Sequence, residues 1–415
     1  MTGILPDAKA AEHAIRGLFP ATPLQRNDHI SLRFGADILL KREDLTPVRS
    51  YKIRGAMNAI RKALQTAPDK RDFVCASAGN HAQGVAYICR HFGVNGTIFM
   101  PVTTPQQKID KTRSFGGDSV RIELTGDYFD ETLRSAQAFC ESKGAHFLSP
   151  FDDPDVIEGQ ASIAVELIEA LGTPPDILVM PVGGGGLSAG VVSYLQAFGA
   201  RTEIILVEPE GGQSLAAALA AGAPVSLDQV DNFVDGAAVA RIGARPFEVL
   251  QTMDPANLYA VSENRLCTTI LEMLNVEGIV LEPAGALSVD VLQDIPDRIA
   301  GKTVVCITTG GNFDFERLPE VKERAQRYRG IKKYFVLRLP QRPGALRDFL
   351  EMLGPEDDIA RFEYLKKSAR NFGSVLIGIE TTRPENFERL FAAMDAGGLS
   401  YRDITADELL AQFLI

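Results

Sequence analysis

The stretch that decides the fold is Asp176-Ile-Leu-Val-Met-Pro-Val-Gly-Gly-Gly-Gly-Leu-Ser-Ala-Gly190, an apolar run followed by four consecutive glycines. No charged residue occurs from 177 to 200. Pro181 and the glycines would break a helix exposed to lipid, so we expect no membrane span. The pattern instead predicts a buried strand, a loop and a helix. Successive N–H groups of such a loop can surround a phosphate, with the helix N-terminus behind them.

The same alternation of apolar runs and helical patterns continues on both sides of this stretch. Strands are predicted at 73–77, 96–101, 119–124, 177–181, 203–208 and 303–308. Helices are predicted at 50–64, 81–92, 130–143, 159–171 and 187–198. This order is typical of βαβ units, and it predicts an α/β fold with a mostly parallel sheet covered by helices.

The last part of the chain has a different pattern. A charged stretch at 316–333 precedes a predicted βαββαβ order, with strands at 334–339, 360–365, 374–380 and 399–404 and helices at 344–353 and 384–396. This order is typical of a small ferredoxin-like α+β domain. We therefore expect a catalytic region over 1–325 with a smaller subdomain at roughly 50–150, a linker at 326–333 and a second domain over 334–410.

The composition excludes several classes of protein. The 415 residues carry a formal net charge of -11, which argues against nucleic-acid binding and against a basic membrane-surface protein. Five dispersed cysteines without a CxxC motif indicate reduced thiols in the cytoplasm, and the N-terminus does not resemble a signal peptide. The five histidines lack metal-ligand spacing, so we expect no required metal.

Two further strand-to-loop junctions place glycines where a ligand could approach the backbone. In Phe73-Val-Cys-Ala-Ser-Ala-Gly-Asn-His-Ala-Gln-Gly84, the N-terminus of a helix suits a carboxylate or phosphate, although a tight turn with Asn80 as N-cap would look the same. In Thr303-Val-Val-Cys-Ile-Thr-Thr-Gly-Gly-Asn312, Thr308 or Thr309 could bond a ring nitrogen or a phosphate, or could simply end a polar strand.

A lysine opens the helix in Arg49-Ser-Tyr-Lys-Ile-Arg-Gly-Ala56. The positive end of the helix dipole and the neighbouring Arg54 should both lower the pKa of Lys52, which makes its amine a better nucleophile. Taken alone, a lysine at this position is more often a surface lysine, because such lysines are common on helices. A dinucleotide site is also open, because Gly184-x-Gly186-x-x-Ala189 matches that fingerprint and Glu208 ends the next strand.

Together, Ser-Tyr-Lys-Ile-Arg-Gly-Ala, Ser-Ala-Gly-Asn-His-Ala-Gln-Gly, Gly-Gly-Gly-Gly-Leu and Thr-Thr-Gly-Gly-Asn, in that order, resemble the fold-type-II, tryptophan synthase β-like enzymes that use pyridoxal 5'-phosphate. Within that group the chain is similar to biosynthetic threonine dehydratases with a single C-terminal ACT-like domain. The resemblance covers about residues 10–410.

The resemblance implies a role for each motif. Lys52 would carry the cofactor as a Schiff base and remove the substrate's Cα proton, and Asn80 would bond the ring hydroxyl. Thr309, where the family usually has serine, would face the pyridine nitrogen. The cofactor phosphate would be held by Gly183, Gly184, Gly185, Gly186 and Leu187. The substrate carboxylate would be held by the backbone of Ser77, Ala78, Gly79, Asn80 and His81.

The implied reaction is β-elimination of water from L-threonine, giving 2-oxobutanoate and ammonia in the first step of isoleucine biosynthesis. The resemblance also implies feedback by isoleucine through the ACT-like domain, where Arg342-Pro-Gly-Ala-Leu346 resembles an effector loop, and a homotetramer. Two alternatives stay open: a broad or degradative serine/threonine dehydratase, and a non-catalytic amino-acid sensor.

Comparison with serine racemases sharpens the expected chemistry. Ala78 stands where they carry a second serine, and alanine cannot deliver a proton, so elimination should dominate over racemisation. Their cation site is matched by Glu208 but has Ser214 where an aspartate is expected, which again predicts no metal. Glu282, in Val-Leu-Glu-Pro-Ala-Gly-Ala, could be functional or a carboxylate at a helix start.

Overall fold

The computed structural model describes residues 3–365 and 371–407. Its contacts divide the chain into two units, Met1–Phe313 and Asp314–Ile415. Residues 408–410, at the end of the expected ACT-like domain, lie outside the described residues. Among the residues described, no helix combines the length and apolarity needed to cross a membrane.

The regular elements alternate through most of the first unit. The strands are β1 (Leu24–Arg26), β2 (Asp37–Arg42), β3 (Asp72–Ala76), β4 (Asn95–Met100), β5 (Val120–Leu124), β6 (His146–Phe147), β7 (Ile177–Pro181), β8 (Glu203–Pro209), β9 (Leu258–Val261), β10 (Thr303–Thr308), β11 (Lys332–Pro340), β12 (Asp358–Leu365), β13 (Phe372–Glu380) and β14 (Ser400–Asp403). The helices are α1 (Ile4–Arg16), α2 (Asp28–Phe34), α3 (Lys52–Thr66), α4 (Asn80–Phe92), α5 (Gln106–Gly116), α6 (Phe129–Lys143), α7 (Pro154–Leu171), α8 (Gly186–Phe198), α9 (Ser214–Ala221), α10 (Ala244–Leu250), α11 (Glu263–Asn275), α12 (Pro283–Asp290), α13 (Pro296–Ile299), α14 (Leu318–Tyr328), α15 (Ala345–Leu350) and α16 (Glu385–Ala396).

The described residues of the first unit, 3–313, form two sheets. The larger has the order β1-β2-β10-β7-β8-β9 and is parallel except for β1. The smaller has the order β5-β4-β3-β6 and is entirely parallel. Its four strands fall between 72 and 147, so the smaller sheet is inserted in the chain between β2 and β7. The charge-free stretch at 177–200 forms β7, a loop and α8, as predicted.

Each sheet has its own buried core. The larger sheet packs β7 and β10 against α7 and α8, with Met180, Val191 and Ile307 fully buried. The smaller sheet packs β3 and β4 against α3 and α4, with Ile60 and Phe73 fully buried. These apolar layers fix the helices that begin at the carboxyl ends of the strands, which is where parallel sheets bind ligands.

The second unit is an antiparallel sheet with the order β12-β13-β11-β14, with α15 and α16 in the connections. Phe335, Ile377 and Leu390 lie in its core. This is the expected βαββαβ arrangement of a ferredoxin-like domain. The expected end of the catalytic region at 325 and the expected start of the second domain at 334 stay predictions. The stretch proposed as a linker (326–333) includes the end of α14 and the start of β11.

Candidate active site

The four motifs meet at the carboxyl ends of the strands in the first unit. Thr309 follows β10, and its carbonyl accepts a hydrogen bond of 3.1 Å from the N–H of Tyr51. Gly84 packs on the start of α3, because a Cβ placed there would lie 3.2 Å from the carbonyl carbon of Lys52. The lysine is therefore flanked by the helix after β3 and by the residues after β10.

Lys52 is the first residue of α3, and its ammonium donates to the carbonyl of Pro150 at 2.9 Å. Burial lowers the pKa of Lys52 to about 8, and the nearby Glu282 carboxylate opposes this shift. A larger fraction of the amine is consequently neutral near pH 7 than for a lysine in water.

The prediction that Arg54 lowers the pKa of Lys52 is wrong, because the shift comes from burial, with Glu282 opposing it. The Arg54 guanidinium is fully buried and bonds Glu43 at 2.7 Å and Glu166 at 2.9 Å. Its charge is therefore compensated by two carboxylates. Sequence spacing could not reveal this, because both partners come from distant segments, the turn after β2 and helix α7.

The glycine loop (residues 183–187) connects β7 to α8. The five backbone N–H groups of this loop donate to no acceptor within residues 3–365 and 371–407. Gly185 has φ +83°, which favours glycine, and α8 begins at Gly186. Free N–H groups at the start of a 13-residue helix form an anion site of the kind expected for a phosphate.

The neighbours of the glycine loop explain why side chains are absent from it. A Cβ on Gly184 would lie 2.2 Å from the Phe151 ring, and one on Gly186 would lie 2.9 Å from the Phe151 Cα. A Cβ on Gly183 would lie 2.9 Å from the Cα of Ala237. Phe151 follows Pro150, so the residues that contact Lys52 and the glycine loop are adjacent in sequence.

The carboxylate loop (residues 77–81) connects β3 to α4. The N–H of Gly79 bonds the Ser77 hydroxyl at 3.2 Å, whereas the N–H groups of Ala78, Asn80 and His81 have no acceptor in the described part of the chain. These groups surround the N-terminus of a 13-residue helix. The arrangement suits a carboxylate, as the resemblance implies.

His81 acts as a neutral, structural group. Its Nε2 lies 3.0 Å from the carbonyl of Leu148, so that nitrogen is the donor. Burial and the nearby Lys52 charge lower the pKa of His81 to about 3, although the Leu148 bond opposes the shift. A proton-transfer role for this imidazole near neutral pH is therefore disfavoured. Its Nδ1 is buried without a partner among the residues described, and its backbone N–H fits the expected carboxylate site.

Thr308, which ends β10, and Thr309, which follows it, differ in their partners. The Thr308 hydroxyl lies 2.9 Å from both the Lys41 carbonyl and the Asp44 carboxylate, so its single O–H proton already has acceptors within the fold. The hydroxyl of Thr309 is buried without a partner among the residues described. A buried hydroxyl normally has a partner. The sequence alone could not decide which of the two threonines meets a ligand. The structure favours Thr309.

Asn80 is not the N-cap of α4, because the helix starts at Asn80 itself and Gly79 precedes it. Its amide nitrogen donates to Glu282 at 2.7 Å, and its amide oxygen accepts from Asn312 at 2.6 Å. Lys111 in turn donates to the Asn312 side chain. Neither Asn312 nor Lys111 was predicted as a site residue from the sequence, although Asn312 ends one of the four motifs.

Glu208 has a structural partner. Its carboxylate accepts from the N–H groups of Leu215 at 2.7 Å and Ala216 at 3.0 Å, at the start of α9. Burial raises the pKa of Glu208 to about 7, and these two bonds oppose the shift. The oxygens that a dinucleotide ribose or a cation would need are therefore already bonded to a helix N-terminus.

The residues present fit pyridoxal phosphate. The glycine loop offers unbonded N–H groups for a phosphate, Thr309 offers an unpartnered buried hydroxyl for a ring nitrogen, and Lys52 offers an amine of lowered pKa. All three belong to the first unit.

Comparison with family models agrees with this site. Residues 15–310 match the family described as pyridoxal-phosphate dependent enzyme, and residues 323–414 match the C-terminal regulatory domain of threonine dehydratase.

Individual relatives cover nearly the whole chain. The L-threonine dehydratase biosynthetic IlvA of Bacillus subtilis is 46% identical over 406 residues, covering 98% of this chain and 96% of the relative. That of Lactococcus lactis is 43% identical, covering 98% and 99%. The solved structure of threonine deaminase isoform 2 from Solanum lycopersicum, in its processed form, has a TM-score of 0.72 and 36% identity, covering 78% and 87%. The chain belongs to the pyridoxal-phosphate-dependent enzymes and, among them, to the biosynthetic threonine dehydratases with a C-terminal regulatory domain.

Proposed function

We propose that this chain deaminates L-threonine to 2-oxobutanoate and ammonia, as the first step of isoleucine biosynthesis. The observation that carries the proposal is the set of unpartnered polar groups around Lys52. Most N–H groups of the glycine loop and the carboxylate loop, and the hydroxyl of Thr309, lack partners in the described chain. The exceptions are the Ser77 N–H, which donates to the Phe99 carbonyl at 3.0 Å, and the Gly79 N–H, which donates to the Ser77 hydroxyl. Such groups are costly when buried, so a ligand that pairs with them is favoured.

Separate groups would hold the cofactor. The glycine loop would bind its phosphate, Asn80 its ring hydroxyl and Thr309 its ring nitrogen, while Lys52 would attach its aldehyde carbon. A neutral hydroxyl beside the ring nitrogen leaves that nitrogen mostly unprotonated, unlike a carboxylate. When bound, pyridoxal phosphate supplies an electron sink for the pair left at Cα.

The chain's own groups would select and deprotonate the substrate. The N–H groups of Ala78, Asn80 and His81 would hold the threonine carboxylate, which orients the Cα–H bond towards Lys52. With a pKa of about 8, the Lys52 amine can take this proton near neutral pH and return it when the β-hydroxyl leaves. Ala78 supplies no proton to the opposite face of Cα.

The second unit would carry regulation. We infer that isoleucine inhibits the enzyme through the ACT-like domain, where Gly344 with φ +86° shapes the loop between β11 and α15. Feedback of this kind requires different isoleucine affinities in the active and inactive states. We also infer a cytoplasmic homotetramer, whose sedimentation should give four times the chain mass of 45.0 kDa.

The test is an assay of the purified protein with added pyridoxal phosphate. We expect 2-oxobutanoate from L-threonine, a lower kcat/KM for L-serine, and inhibition by isoleucine. A higher kcat/KM for serine would favour the broad or degradative dehydratase. Binding of isoleucine without turnover of either amino acid would contradict the proposal and favour the amino-acid sensor.

A further inference from the structure

Glu282 occupies the N-cap position of α12, but its side chain does not cap that helix. It is 5% exposed, and its Oε1 accepts a hydrogen bond of 2.7 Å from the amide nitrogen of Asn80. A carboxylate serving only the start of a helix would bond that helix's own N–H groups. The side chain of Glu282 is instead directed to the residue expected to meet the cofactor ring.

Asn80 is held from both ends. While Glu282 accepts from its amide nitrogen, Asn312 donates to its amide oxygen at 2.6 Å and also to the Val48 carbonyl at 2.9 Å. A flipped Asn80 amide would place its oxygen against the Glu282 carboxylate and its nitrogen against another N–H donor. Only one orientation is compatible with both neighbours, and it leaves one N–H of Asn80 for a ligand.

The backbone around Glu282 is shaped for this carboxylate. A Cβ on Gly310 would lie 2.3 Å from the Glu282 Oε1, and the Glu282 N–H donates to the Gly310 carbonyl at 3.1 Å. Gly310 lies in the same motif as Thr309 and Asn312. This motif therefore leaves room for Glu282 and also supplies the second bond to Asn80.

Charged groups on several elements face Glu282. Burial raises the pKa of Glu282 to about 7, and Asp235 adds to the shift, while the bond from Asn80 and the charges of Lys108 and Lys111 oppose it. Burial also lowers the pKa of Lys52 and raises that of Tyr51, and the Glu282 charge acts upward on both. The charge of Glu282 should therefore change near neutral pH, within the range in which an enzyme can be assayed.

We propose that Glu282 is a positioning residue for the cofactor, holding the Asn80 amide so that its free N–H is offered to the ring hydroxyl. This inference rests on the proposed cofactor site and adds a residue to it. A charged acceptor makes the stronger hydrogen bond, so the ionised carboxylate holds Asn80 more firmly than the acid does. The electronic state of the bound ring should then follow the charge of Glu282.

The test is the visible absorbance of the bound cofactor, at ~410–420 nm, recorded against pH without threonine. In the wild type we expect the band to titrate with a midpoint near the Glu282 pKa of about 7. Glu282→Gln keeps the shape and a neutral acceptor but cannot ionise, so this titration should disappear and the cofactor should bind about tenfold more weakly. Glu282→Ala should weaken binding further.

Two neighbouring substitutions should move the midpoint in opposite directions. Lys111→Met removes a cation that lowers the pKa of Glu282, so the midpoint should rise. Asp235→Asn removes an anion that raises it, and frees Lys108, which donates to Asp235 at 2.7 Å, so the midpoint should fall. If Glu282 served only to stabilise the fold, Lys111→Met and Asp235→Asn would not shift the midpoint of the absorbance titration in opposite directions.

Asp290→Asn is the matched control. Asp290 is a buried carboxylate at the other end of α12, and burial raises its pKa as well, but it bonds Thr269 and Arg265. This variant should titrate like the wild type. Thermal unfolding of each variant would identify any that misfold.

Two outcomes separate this inference from the function it rests on. A wild-type band that titrates identically in Glu282→Gln, or equal midpoints in Lys111→Met and Asp235→Asn, would overturn the role of Glu282 and leave the threonine assay untouched. A wild type that never develops the band with added pyridoxal phosphate would overturn the cofactor site, and this inference with it.

Discussion

Two clusters of polar groups lie along the start of α3, and they differ in how completely their hydrogen bonds are paired. Around Arg54, the guanidinium bonds Glu43 and Glu166, and Glu166 also bonds Lys41. Around Lys52, the amine has the Pro150 carbonyl, while nearby N–H groups and a hydroxyl have no partner in the described chain.

The difference shows that completeness of pairing, more than a shifted pKa, identifies the binding site. Burial lowers the pKa of both Lys41 and Lys52. Lys41, however, bonds Glu166 and the Thr22 carbonyl. A buried cluster that pairs its own charges stabilises the fold, whereas an incomplete cluster has capacity left for a ligand.

The largest expected effect is that of Lys52→Ala on catalysis. Removing the amine should lower kcat for threonine by at least ~10⁴-fold, because attachment of the cofactor and proton transfer are both lost. The folded-state pKa of about 8 lies below the ordinary lysine value of 10.5, so the charged amine costs stability at pH 7. Urea unfolding at pH 7 should therefore show no loss of stability. A variant that unfolds readily would show that Lys52 belongs to the structural cluster.

Whereas Lys52→Ala should lower catalysis without lowering stability, Arg54→Met should lower the stability of the fold. It leaves Glu43 and Glu166 buried without their main partner, which should lower the free energy of unfolding by about 3–5 kcal/mol. Burial would raise the pKa of Glu166, but Arg54 and Lys41 lower it to about 2. The wild type should consequently lose stability as the pH falls from 4.5, the ordinary pKa of a glutamate, towards 2, and this loss should be smaller in the variant. Urea unfolding at several pH values measures both effects, and unchanged stability at pH 7 would show that the bonds of Arg54 to Glu43 and Glu166 do not stabilise the fold.

Adjacent threonines allow the comparison to be made within one motif. Thr308→Val removes a bonded hydroxyl and should cost about 1–2 kcal/mol of stability. Thr309→Val removes an unpartnered one, so stability should stay level or rise slightly, while the cofactor dissociation constant should increase about tenfold. Thermal unfolding of the cofactor-free protein and spectroscopic titration with pyridoxal phosphate separate these effects. Equal losses of stability in the two variants would show that the bonded hydroxyl of Thr308 and the unpartnered hydroxyl of Thr309 do not differ in what they contribute to the fold.

The smallest effect concerns the rate at which the cofactor-free protein takes up pyridoxal phosphate. The neutral amine is the nucleophile, and the lowered pKa of Lys52 gives a midpoint of about 8. The rate of appearance of the visible band should rise about tenfold from about pH 7 to 9 and then level off. A rate that keeps rising to about pH 10 would indicate a lysine with an ordinary pKa.

Much of the fold could be predicted from the sequence. The run at 177–181 is apolar, follows Asp176 and is separated from the four glycines only by Val182, and it forms β7 with the predicted ends. The run at 303–308 is rich in β-branched residues and lies between Lys302 and Thr309, and it forms β10 with the predicted ends. The strand β2 was not predicted. It brings Lys41 and Arg42 into the interior, and the carboxylates that compensate them are Glu166 and Asp44. The pattern of hydrophobic residues alone cannot reveal a strand whose buried cations are compensated by carboxylates outside that strand.

The expected site residues divide in the same way. Lys52, the glycine loop and the carboxylate loop are marked by local patterns of glycine, small residues and helix starts, so the sequence could propose them. The contact between Asn80 and Glu282 joins positions 202 residues apart. The choice between Thr308 and Thr309 depends on whether Lys41 and Asp44 lie within bonding distance. Neither fact leaves a local signal in the chain.

The most direct test of the central claim is to locate the lysine that binds the cofactor. The protein would be incubated with pyridoxal phosphate and reduced with borohydride, which makes the carbon–nitrogen link permanent, and its peptides would be mapped by mass spectrometry. We expect the added mass on the peptide that contains Lys52, with Lys41 unmodified. Modification of Lys41, or of surface lysines in proportion to their exposure, would contradict the claim that the incompletely paired cluster is the active site.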